Sequence, residues 1–164
     1  MVVEPEELRL AMRRWATGVT VVTTQMDGVR HGMTVNSFTS ISLTPPLVMV
    51  SLEQSTRTQK YIKQTGFFGV TILSSEQQEI SDRFAGRISE HQDRFTGLET
   101  RTLITGAPFV LGGLAFIDCR VVATFDAGTH TLFIAQVEAV HLNPFKEQED
   151  GPLLYYNRSY RELQ

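Results

Sequence analysis

Apolar and polar positions along the chain follow two rhythms, and the change from one to the other marks its elements. Over residues 5–16, Leu8, Ala11, Met12 and Trp15 recur at i, i+3, i+4 and i+7, on one face of a predicted helix. Glu4, Glu6 and Glu7 suit its N-terminal end and Gly18 its finish. The β-branched run VTVVTT (19–24) predicts a strand, and Asp27-Gly28 followed by an extended run from Val29 completes a hairpin signal. Within 31–52, two extended runs flank the turn pair Pro45-Pro46. The second, LVMVSL (47–52), is apolar through Val50, as expected of a strand covered on both faces.

Residues 55–64 predict a short helix with Thr58, Tyr61, Ile62 and Thr65 on one side and Gly66 ending it. FFGVTIL (67–73) predicts a strand. EQQEISDRFAG (76–86) predicts a polar helix, with Ile80 and Phe84 four residues apart, running into a charged loop over 87–97. From Leu103 onward β signals dominate: strands over 113–125 and 130–142 about the loop 126–129, then a last short strand and a tail over 152–163. Six or more strands with two or three helices predict a mostly β fold, an antiparallel β-barrel with helical covers, as one domain over 1–164. Closure also removes the edges that several apolar strands would expose.

Composition narrows the class. With 164 residues, 41% hydrophobic and 20% charged, the chain reads as an ordinary globular protein rather than a disordered one. A net charge of −3 argues against a nucleic-acid binder. The single cysteine, Cys119, excludes an internal disulfide and suits a reducing compartment; within LAFIDCRVV it reads as a buried filler. No stretch reaches the length of a membrane span, and the N-terminus lacks a basic region followed by an apolar one, so a soluble, cytoplasmic protein is expected.

The chemistry is narrowed first by absences. There is no GxGxxG after a strand, no GxxxxGK[ST], no HExxH and no paired CxxC. The glycine-rich GAPFVLGG (106–113) reads as a turn, and the histidines at 31, 91, 130 and 141 have no ligand-like spacing, so no metal site is expected. What stands out is hydroxyl groups in two clusters: Thr34, Asn36, Ser37, Thr39, Ser40 and Ser42, then Ser51, Ser55, Thr56 and Thr58. At the ends of adjacent strands these would grip a polar, anionic ligand. Ser55-Thr56-Arg57-Thr58 opens a helix, where unpaired N–H groups and a partial positive charge hold anions, and Arg57 and Lys60 add charge. The plainer alternative is that Ser55 or Thr56 only caps the helix and the first cluster is an edge strand facing water. His130 follows a glycine-containing loop, a position open to a functional side chain or an ordinary surface one.

The segments WATGVTVVTT, GMTVNSFTSISLTPPLVMVSL, STRTQKYI, GFFGVTIL, SDRFAG, HTLFIAQV and PLLYYNRSY, in this order over nearly the whole chain, resemble the flavin reductase-like, FMN-binding split-barrel family. The resemblance implies a Greek-key split barrel working as a homodimer, with flavin near the subunit interface. It implies transfer of a hydride from NADH or NADPH to FMN, with FAD also possible, and delivery of reduced flavin to a transient monooxygenase partner. Carried over residue by residue, Thr34, Val35, Asn36 and Ser37 would contact the isoalloxazine and ribityl groups. Ser51, Leu52, Ser55, Thr56 and Thr58 would hold the ribityl-phosphate end, and Phe84 and Arg87 would close over the ligand. His130 would sit at the nicotinamide. Where many of these reductases carry Gly-Asp-His, this chain has Gly128-Thr129-His130. The missing acid keeps a second reading open, an FMN-holding electron-transfer flavoprotein of the same barrel; a flavin-free binding module is a third.

Overall fold

The computed structural model describes residues 2–87, 93–144 and 151–163. His91 and the middle of the charged loop expected over 87–97 lie outside the described residues. In chain order the elements are α1 (Pro5–Met12), β1 (Thr17–Gly18), β2 (Thr20–Met26), β3 (Val29–Val35), β4 (Thr39–Leu43), β5 (Pro46–Glu53) and α2 (Arg57–Thr65). They continue as β6 (Phe67–Ile72), α3 (Gln78–Asp82), β7 (Thr100–Arg101), β8 (Phe109–Val110), β9 (Ala115–Ala127), β10 (His130–Leu142), β11 (Leu154–Tyr156) and β12 (Ser159–Arg161).

Seven strands form one antiparallel sheet in the order β3-β2-β6-β9-β10-β5-β4. Its two edge strands, β3 and β4, are consecutive in sequence, so the short connection 36–38 must bridge the sheet's two edges. The sheet therefore curls. Val35 from β3 and Val48 and Val50 from β5 meet in one buried cluster with Val22, Phe68, Cys119 and Phe133. β9 and β10 pair along 13-residue strands whose register shifts twice, between Ile134 and Ala135 and between Val137 and Ala139, which lets a long hairpin bend around the barrel. The curl is laced at the bridge by one side chain. Ser37 Oγ donates to the Ser51 carbonyl (2.8 Å) and accepts from the Ser51 N–H (3.2 Å).

α2 plugs the barrel. Thr56 caps it, Gly66 ends it at φ 74°, and Thr58, Gln59 and Ile62 are buried. A second cluster, on the outer side of β2, joins Val19 and Val21 to Leu73, Phe84, Phe95 and Leu153, so β2 is buried on both faces. Cys119 is fully buried, as a filler should be, and burial pushes its thiol up, with the Asp118 carboxylate acting in the same direction. Asp118, also buried, accepts from the N–H and hydroxyl of Thr105 and so holds the 103–108 loop against β9.

Several expectations shift. The first helix stops at Met12, not near residue 16. Arg14 and Trp15 bond three residues back, which tightens the last turn, and pairing of Thr17 with Tyr155 then extends the chain, with Gly18 inside that strand. No residue of α1 is buried. β5 is not covered equally on both faces: Val48, Val50 and Leu52 point into the core while Leu47, Met49 and Ser51 are half-exposed. Residues 106–113 turn at Gly106 and Gly112 but also contain β8. The C-terminal stretch is a hairpin, β11 with β12, rather than one strand and a tail. Its turn places Asn157 (φ 48°) and Arg158 (φ 64°) in the left-handed region without a glycine to announce it.

Two substitutions test this packing. A Cβ at Gly69 would lie 2.6 Å from a Phe109 ring atom, and that ring is backed by Phe116 at 5.4 Å. Gly69→Ala should therefore destabilise the fold by about 1–3 kcal/mol in denaturant titration. Ser37→Ala removes both bonds to Ser51 and should cost about 1–2 kcal/mol in the same measurement. An unchanged midpoint for Ser37→Ala would show that the lacing contributes nothing to closure.

Candidate functional site

The connection 36–38 that bridges the sheet edges also forms one wall of a cavity of about 720 Å³. Asn36, Ser37, Phe38 and Thr39 line it together with Met12, Trp15 and Ala16, from the end of α1 and the segment after it, and with Thr17, Gly18, Thr20 and Ile72 from β1, β2 and β6. The size suits a small-molecule ligand. The lining mixes flat apolar surface with a few polar groups. Thr17 Oγ1, closed off from solvent, has no hydrogen-bond partner among the described residues.

Of the residues expected at the ring, Asn36 and Ser37 line this cavity. Thr34 and Val35 line a smaller one of about 200 Å³ with Val19, Ser81, Tyr155 and Tyr160, and Asn36 borders both. The Thr34 hydroxyl donates to the Ser81 carbonyl at 2.6 Å, and Val35 is core. Met12, Trp15, Thr17 and Phe38 were not anticipated at a site. The local pattern of WATG, the end of an apolar helix face before a strand, carried no signal of a cavity wall.

The second cluster lies beyond the lacing. From Ser51, β5 runs two more residues, about 7 Å, before the chain turns into α2. Leu52 points into the core and Ser55 is exposed. Thr56 Oγ1 donates to the Glu53 carbonyl (2.7 Å) and accepts from the Gln59 N–H (3.4 Å), so its hydroxyl does cap the helix. Thr58 is buried, its hydroxyl 2.8 Å from His31 Nδ1. The His31 ring stands edge-on to Tyr61, and the Arg57 guanidinium lies over the other ring of that pair, 6.0 Å from the Tyr61 centroid. The first turn of α2 is thus held against β3, with Arg57 folded over Tyr61 and the N–H groups of the turn at the Ser55 end.

His130 joins this end of the barrel. It pairs with Glu53 across β5, and Gln54 clamps the turn through bonds to the Thr129 and His130 carbonyls. The Thr129 hydroxyl lies 2.9 Å from His130 Nδ1, within hydrogen-bond distance of the ring. Phe84 is 1% exposed and packs edge-to-face on Phe95 at 5.0 Å, next to the turn that Gly86 makes at φ 85°. The Arg87 side chain lies outside the described residues. Among the described residues no helix is long and apolar enough to cross a membrane.

Comparison with known proteins agrees with this geometry. The family model "Flavin reductase like domain" matches residues 12–164. An NADH-dependent flavin reductase of a Rhodococcus species is 41% identical over 99% of this chain and 88% of its own. Among solved structures, the flavin reductase PheA2 is 38% identical with a TM-score of 0.87, covering 99% of each chain. The styrene monooxygenase flavin reductase of Pseudomonas putida S12 is 37% identical with a TM-score of 0.83, covering 96% of this chain and 97% of its own. A family match over residues 12–164 and a relative 41% identical over 99% of the chain leave one assignment: the chain belongs to the flavin reductase-like domain family.

Proposed function

We propose that this chain is an NADH-dependent flavin reductase that takes FMN and hands reduced FMN to a partner monooxygenase. It would act as a single domain over 1–164, as a homodimer and in the cytoplasm. The observation that carries the flavin site is the 720 Å³ cavity lined by the Asn36–Thr39 stretch. Its lining fits a flat heteroaromatic ring: Asn36 offers hydrogen bonds to its polar edge, while Phe38 and Ile72 cover its apolar part. The N-terminus of α2 offers the phosphate end an anion site. That favours FMN, whose terminal phosphate would reach it along the Ser37–Ser51 lacing. The donor and partner rest on relatives named an NADH-dependent flavin reductase and a styrene monooxygenase flavin reductase. The homodimer is supported by Val122 and Phe125, exposed large apolar side chains toward the turn end of β9.

A bound flavin supplies the hydride acceptor. The chain's share is placement. The cavity walls fix the ring and exclude water from one face, and His130, oriented by Thr129, offers a hydrogen bond to the nicotinamide. No side chain need act as acid or base at the hydride step. This orientation of His130 favours the reductase over the electron-transfer reading, because Thr129 leaves the ring with a hydrogen-bond partner.

Anaerobic stopped-flow absorbance tests the proposal. Mixing protein and FMN with NADH should bleach the flavin band on the order of 1–1,000 per second. A bound flavin that neither NADH nor NADPH reduces would overturn it. His130→Ala should raise KM for NADH about three- to tenfold, the worth of one hydrogen bond, with the FMN Kd unchanged. An unchanged KM would remove His130 from the nicotinamide site.

A further inference from the structure

β3 is an edge strand, and side chains tie down its free side. The Thr34 hydroxyl donates to the carbonyl of Ser81, in α3, at 2.6 Å. Asn36, two residues on, therefore stands between two hydroxyl ties: Thr34 to Ser81 before it, and Ser37 to Ser51 after it. The first tie is only as firm as α3, and a helix of five residues does not hold itself together. Its N-terminal side is fixed by Gln77, whose amide donates to the Leu111 carbonyl at 2.9 Å. Its C-terminal side is fixed by Tyr160 of β12. The Tyr160 hydroxyl lies 2.8 Å from the Asp82 carboxylate and 2.8 Å from the hydroxyl of the buried Ser81. A carboxylate only accepts, so Tyr160 donates to Asp82 and Ser81 donates to Tyr160.

We propose that Tyr160 is a positioning residue for the wall of the large cavity. It does not line that cavity, and its hydroxyl sets Asn36 from a distance, through Ser81 and Thr34. This rests on the flavin reading of the cavity. The chain of bonds is short because the C-terminal hairpin, α3 and the end of β3 meet at one place. Thr34, Asn36, Ser81 and Tyr160 all border the smaller cavity there. Without the Tyr160 hydroxyl, the end of α3 loses two bonds, and the Ser81 carbonyl that anchors Thr34 loses its fixed place. Asn36 must then be ordered when the ligand arrives, which costs affinity. The reacting groups are untouched, so turnover with flavin bound is preserved.

The test is the FMN Kd, titrated without nicotinamide nucleotide, with the thermal midpoint recorded alongside. The variants are Tyr160→Phe, Thr34→Val, the two combined, and Tyr156→Phe. Phenylalanine at 160 keeps the ring that packs edge-on against Tyr155 at 5.6 Å and removes only the hydroxyl, so the hairpin stays folded. Kd should rise about three- to tenfold in Tyr160→Phe, and by a similar factor in Thr34→Val. The combined variant should bind no more weakly than the weaker single one, because both changes cut the same chain of bonds. Tyr156→Phe, the same change in the same hairpin, should bind as the wild type does. In Tyr160→Phe, kcat at saturating FMN and KM for NADH should stay within about twofold of the wild type. A lowered midpoint with an unchanged Kd would overturn the inference, leaving Tyr160 a merely structural role. Losses that multiply in the combined variant would overturn it too, because Tyr160 would then not act through Thr34. A raised KM for NADH with an unchanged FMN Kd would place Tyr160 at the nicotinamide and also overturn it. Failure of the wild type to bind FMN would instead sink the flavin reading itself, and this inference with it.

Discussion

The structure depends on closing a sheet whose two edge strands are neighbours in sequence. Three residues must span that gap, and they do so because Ser37 exchanges two hydrogen bonds with the main chain of Ser51. A side chain that both donates to and accepts from one distant residue imitates a strand partner where no strand exists. The lacing brings Val35 and Val48 into one cluster, leaves α2 to plug the barrel, and raises the 36–38 connection as the wall of a cavity. Fold and site are products of one constraint.

This explains how the hydroxyl residues divide their work. Ser37 and Ser51 join strands, Thr56 caps α2, Thr58 bonds His31, and Thr34 bonds the main chain at Ser81. Most of the conspicuous polar residues are therefore the frame of the site. The groups left for a ligand are fewer: the Asn36 amide, the hydroxyls of Ser51 and Ser55, and the amides of the α2 terminus. Preorganisation of this kind spares the protein rearrangement when ligand arrives, which suits a reductase whose contribution is placement rather than proton transfer.

The strand periodicities, the α2 boundaries and the burial of Cys119 were legible in sequence because each follows from local pattern. Elements whose geometry is decided at a distance were not. Trp15 continues the helical rhythm of α1, but pairing of Thr17 with Tyr155, far along the chain, ends the helix before it. Phe84 sits in a segment expected to cover ligand, and its buried edge-to-face contact with Phe95 is made across a loop that no local pattern announces. The hairpin of β11 and β12 turns at Asn157-Arg158, where no glycine marks the left-handed backbone. In the site, resemblance pointed to Asn36 and Ser37, but nothing local in WATG told a capped helix end from a cavity wall.

The central claim is that a flavin lies between the end of α1 and the sheet-bridging connection, with its phosphate end at α2. Hydrogen–deuterium exchange of the protein with and without saturating FMN tests that placement most directly. The account expects slowed exchange at 12–20, at 36–39 and at 55–59 together, with the β11–β12 hairpin unaffected. Protection confined to the smaller cavity beside Ser81, Tyr155 and Tyr160, or absent from 12–20, would contradict it.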